Sequence, residues 1–156
     1  MHKTPEITRL IHENFWIVLS FALAQPAAKK LMGDRFYGEW QYLHQTIDEY
    51  AERRADRALL ELGVQLRVLD DAYQLNADYL SQTPQTPFGT VTQKDGSTTD
   101  LRFRDMTNKI VHAASFEWAL GSDDPFVICH PHDRDRWLRA DVRLQALMAF
   151  VGQLML

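Results

Sequence analysis

A mainly α-helical domain with a small antiparallel β element, arranged as a helical bundle, is the fold class the sequence predicts. Three observations carry it. Apolar residues recur at three-and-four spacing from Trp40 to Tyr73, Phe15 to Ala24 is apolar on every side, and the β-favouring segments after Pro87 are short and broken by turns. The chain has 156 residues, 46% hydrophobic and 24% charged, so residues 1–156 read as a single domain large enough to bury its own core. A formal charge of −4 excludes a surface that grips nucleic acid all round, while leaving room for a local basic patch.

The first helix is predicted from Thr4 as N-cap, Pro5 at the first helical position and Glu6 near the positive end of the helix dipole. It should end near Ala24, because Gln25-Pro26 disfavours helix, with a further helical piece over Ala27 to Met32 before Gly33-Asp34. The run Phe15 to Ala24 is about half of what a bilayer span requires, so no membrane span is predicted and a core helix or one half of a subunit interface is. A long helix follows from Tyr37 to Tyr79, as one bent helix or two, with Gly63 marking a kink or a close approach. Its charged residues Glu52, Arg53, Arg54, Asp56, Arg57, Asp70 and Asp71 read as a solvated face.

Gln82-Thr-Pro-Gln-Thr-Pro87 cannot continue the helix. Gly89 to Gln93, the Asp95-Gly96 turn and Thr98 to Leu101 predict a β-hairpin leading into a helix over Leu101 to Ala113, with Thr99 or Asp100 as its cap. Ser115 to Leu120, Phe126 to His130 and Arg136 to Val142 read as short strands, and Arg143 to Leu154 as a final apolar helix.

If 101–113 is helical, Arg104, Asn108 and His112 fall at i, i+4 and i+8, so a cation, an amide and an imidazole share one stripe. These three are the chain's best candidate catalytic residues: in a metal-independent ribonuclease an imidazole takes a proton from the ribose 2′-hydroxyl while an arginine stabilises charge on the phosphate, and a family resemblance is the reason to consider that chemistry here. The segment Arg104-Asp-Met-Thr-Asn-Lys-Ile-Val-His-Ala113 resembles one found in small helical proteins related to the HEPN superfamily, many of them from mobile elements and defence systems. The resemblance covers mainly residues 86–118. It implies a HEPN-like helical bundle that binds RNA, possible ribonuclease activity in a defence or toxin–antitoxin system, and a homodimer whose paired motif helices build one cleft. Catalytic HEPN domains carry the arginine immediately before the polar residue; here Thr107 holds that position and Arg104 stands one turn upstream. The alternative is a non-catalytic helical interaction or dimerisation module with a protein partner, in which Asn108 and His112 tie the helix to a neighbouring strand and Glu117 accepts from His112.

Cys129-His130-Pro131-His132 has thiol and imidazole groups, yet no second cysteine or histidine pair stands at a zinc-ligand spacing, so no metal is assigned. His12 and His44 read as contact residues of separate helices. No phosphate-binding loop, dinucleotide glycine fingerprint or Gly-x-Ser-x-Gly elbow occurs, and no cofactor is predicted. The single cysteine excludes an internal disulfide and points to a reducing cytoplasm.

Overall fold

The computed structural model describes residues 4–34, 42–81 and 85–154. Helix α1 (Thr4–Asp34) is followed by a π-helical stretch (Gln45–Ala51) that runs into α2 (Glu52–Tyr73) and then the short α3 (Leu75–Leu80). Next come β1 (Gly89–Gln93), β2 (Thr98–Asp100), α4 (Phe103–Val111), β3 (Ala113–Ala119), β4 (Phe126–Pro131), β5 (Trp137–Arg143) and α5 (Leu144–Gly152). The predicted helix start at Tyr37 and Trp40 lies outside the described residues, as do residues 82–84 and the side chain of the predicted cap Thr4.

The predicted helical bundle with a small β element is corrected to an α+β fold. All five strands join one antiparallel sheet in the order β2-β1-β5-β4-β3. The physical reason is a long-range pairing: β1 takes β5 as its second neighbour, matching Val91 to Ala140 and Gly89 to Val142, and so fuses the hairpin with the three later strands. Gly89 allows that approach. Its φ is 142°, and a Cβ there would stand 1.8 Å from the carbonyl oxygen of Asp141.

Strand alternation sends Val91, Val127, Cys129, Ala140 and Val142 into the core. The opposite face carries Glu117, Ile128, Asp141, Thr90 and Asp100 in one cross-strand row. Helix α1 packs along α2 through Ile11, Val18 and Phe21, and α2 presents Leu59, Leu62, Leu66 and Leu69 inward. Phe88, Phe103 and Phe150 close the cluster between hairpin, α4 and α5, their ring centroids 4.9–6.1 Å apart.

Three helical expectations change. Helix α1 does not stop before Pro26 but runs through it to Asp34. The lost N–H and ring clash cost about 3 kcal/mol in an isolated helix, and α1 keeps contacts on both sides of the proline, with His12 bonded to the Leu154 carbonyl at 2.8 Å and Lys29 3.7 Å from Asp48. The long helix divides at Gln74, which takes the left-handed conformation (φ 55°, ψ 47°) so that Leu75 and Tyr79 turn into the core. The motif helix is shorter than predicted: Thr99 and Asp100 belong to β2, and Arg102 holds the N-cap position with no side-chain cap bond.

Candidate functional site

The stripe on α4 forms in part, and its surroundings decide what it can do. Phe103, Met106, Thr107 and Ile110 bury the core face of α4. Arg104 and Asn108, one turn apart, project from α4 onto α2, which approaches closely because residue 63 is glycine: a Cβ there would lie 2.7 Å from Cγ2 of Ile110.

Arg104 donates from Nη1 to Asp70 at 2.6 Å and to Asp71 at 3.4 Å. Asp70 has only 7% of its side chain exposed and also accepts the Asn76 backbone N–H at 2.6 Å, which anchors the start of α3. The Asp70 hydrogen bond raises the Arg104 pKa above its ordinary value, with partial desolvation opposing and Asp71 adding to it. Asn108 accepts a hydrogen bond from Arg67, whose Nε is buried without a partner among the described residues. Arg104 and Asn108 are therefore both engaged by α2.

His112 stands apart from this network. It is the C-cap residue of α4, exposed, with its backbone N–H bonded to the Asn108 carbonyl at 3.0 Å and no side-chain partner among the described residues. The anticipated acceptor Glu117 instead lies 3.8 Å from His130 on the open face of the sheet. The structure thus brings Arg104 and Asn108 together on the α2–α4 seam and leaves the imidazole at the helix end.

Arg67, Asp70 and Asp71 complete the seam, although the charge pattern of α2 puts Asp70 and Asp71 on a solvated face and gives no sign of Arg67. Asp70 continues the Leu59, Leu62, Leu66 stripe at i+4, so the apolar periodicity already placed its side chain inward. Asp56 is another such residue: it accepts from the Trp118 indole at 2.7 Å, and its pKa is raised by burial, a shift the indole bond opposes.

The Cys129-His130-Pro131-His132 segment does not converge. Cys129 is fully buried on the core face, its thiol pushed up to about 12 by burial, while neighbouring His130 points to the open face and His132 is exposed. Among the described residues no group of three or more histidine, cysteine or carboxylate side chains is placed to hold a metal ion.

Two further surfaces stand out. On α1, Trp16 (66% exposed), Leu23 (67%) and Leu31 (45%) share the face away from the core with exposed Ala24 and Ala27. On α2, Leu60, Val64 and Val68 form a second, weaker apolar strip. Among the described residues no helix is long and apolar enough to cross a membrane. Comparison with protein-family models, with curated proteins and with solved structures finds no match to this chain.

Proposed function

We propose that the chain is a non-catalytic, self-associating interaction module that pairs two copies through the outer face of α1. The observation that supports this most is the exposure of Trp16 and Leu23 on a helix that packs into the core on another face through Ile11, Val18 and Phe21. The two stand seven residues apart, so an antiparallel pair of α1 helices about a two-fold axis near Ser20 sets Trp16 of one copy against Leu23 of the second. Charge agrees with that direction. Exposed Glu6, Arg9 and Glu13 give one end of α1 a net negative charge, exposed Lys30 stands on the same face at the other end, and antiparallel packing brings the unlike charges together. A reducing cytoplasmic setting fits this reading, since the chain's single cysteine is a core residue.

The seam between α2 and α4 supports the non-catalytic part. Phosphate stabilisation needs a guanidinium free to meet the developing charge, and Arg104 already serves two carboxylates. One feature favours the second reading, an RNA-binding protein or metal-independent ribonuclease: the His112 imidazole is exposed and has no partner among the described residues. That reading requires a phosphate to displace Asp70 and Asp71.

Light scattering on the native protein and on Leu23→Glu, with total RNA incubated in EDTA alongside, tests both. The proposal predicts twice the chain mass for the native protein, the single-chain mass for Leu23→Glu, and intact RNA. A native monomer overturns the self-association, a dimer lost in Val64→Glu but kept in Leu23→Glu overturns the assigned face, and cleavage abolished by His112→Ala overturns the non-catalytic assignment.

A further inference from the structure

Between α1 and the start of α2 lies an open groove of about 700 Å³ whose floor includes Ile17 and Ala58. Its wall, read along the chain, runs from Glu49 and Tyr50 through Arg53, Arg54 and Arg57 to Glu61. Arg57 is spent on Glu61 at 3.0 Å. Arg53 and Arg54 are exposed and form no ion pair among the described residues, although Glu49 lines the same wall. The charge pattern is therefore positive in the middle, acidic at the Glu49 end and neutralised at the Arg57–Glu61 end.

That pattern discriminates between polyanions and proteins. A nucleic-acid backbone carries a phosphate at every nucleotide and, beyond the two free arginines, meets repulsion from Glu49 on one side and no unpaired cation at the Arg57–Glu61 pair on the other. A protein segment can confine its carboxylates to the centre and place apolar or neutral side chains on either side, over Ile17, Ala58 and the 67%-exposed Tyr50. We infer that this groove docks a helix of a partner protein that carries a central cluster of carboxylates on an otherwise apolar face. The guanidinium groups of Arg53 and Arg54 meet the carboxylates through charge-assisted, bidentate-capable hydrogen bonds. Gln45 to Glu61 spans about 24 Å of helix axis, so the matching segment is about 16 residues long. The groove is separate from the Trp16–Leu23 face, and the inference does not require self-association.

The test is fluorescence anisotropy with a synthetic helical peptide of that length, Leu at three-and-four spacing and three central Glu residues, titrated with native protein and with Leu23→Glu. Saturable binding to both is expected, weakening with added salt and falling roughly tenfold or more when the peptide's Glu residues become Gln. The Arg53→Gln/Arg54→Gln double variant should lose a similar factor, while Arg136→Gln, an exposed cation on the turn before β5, leaves binding unchanged. Absence of saturable binding, insensitivity to the double substitution, or tighter binding of a single-stranded oligouridylate each overturns the assignment. Because the monomeric variant is titrated in parallel, failure here and failure of the dimer are read separately.

Discussion

Removing Arg104 and removing His112 should have different consequences for stability, because one side chain answers a buried charge and the other has no partner among the described residues. In Arg104→Ala the 7%-exposed Asp70 carboxylate keeps only the Asn76 N–H. Leaving that mostly buried carboxylate without its cation destabilises the fold, so Arg104→Ala should melt clearly below the native protein. His112→Ala should stay within about 0.5 kcal/mol of the native protein, as exposed unpartnered positions do. Thermal denaturation of the two variants side by side checks this. Asp56 gives a pH prediction. Its folded pKa lies above the ordinary aspartate value because burial disfavours the charged form, so the native state holds the proton more tightly than the unfolded chain. The stability this adds is complete below the unfolded value and is lost as pH rises through the folded one. Asp56→Asn keeps an acceptor for the Trp118 indole without the charge, so its Tm should exceed that of the native protein at pH 7 and the gap should close on acidification. The stripe of Arg104, Asn108 and His112 was legible as a spacing, but its meaning was not: whether Arg104 faces a phosphate or a carboxylate depends on Asp70, distant in sequence and hidden in what resembles a solvated charged face.

At the scale of elements, what local chemistry controls was readable and what tertiary pairing controls was not. The Asp95-Gly96 turn, with Gly96 at φ 87°, specifies the hairpin by itself, and the apolar stripe of α2 specifies its buried face. The joining of β1 to β5 was not readable, since nothing in five residues of Gly-Thr-Val-Thr-Gln names a partner some fifty positions later. At Pro26 the local penalty is real, yet α1 continues through it, and the ion pair described beyond it, Lys29 with Asp48, is half-exposed and worth less than that penalty. Gly63 inside a helix predicts a kink or a close approach, and the structure makes it the close approach of α2 to Ile110. Helix propensity alone has Gly63→Ala stabilising by about 1 kcal/mol, whereas the 2.7 Å contact with a fully buried, β-branched side chain makes it destabilising, by about 1 kcal/mol net. Urea denaturation decides the sign, and an Ile110→Leu background, which removes the clashing methyl, should reduce the cost.

For the whole molecule, helices on one face of an antiparallel sheet leave two kinds of surface. The open sheet face is polar, with Arg139 bound to Asp141 at 2.8 Å, and is satisfied in water. The outer face of α1 exposes Trp16 and Leu23, and in the proposed dimer a second copy covers it. A disulfide trap measures that directly, and the native Cys129 does not compete because it is buried. Ser20→Cys lies near the proposed two-fold axis and Glu6→Cys lies far from it. Under mild oxidation at micromolar concentration, non-reducing electrophoresis should show a covalent dimer for Ser20→Cys and none for Glu6→Cys. A Ser20→Cys protein that stays a single chain, or one that cross-links no more readily than Glu6→Cys, would contradict the antiparallel α1 pair.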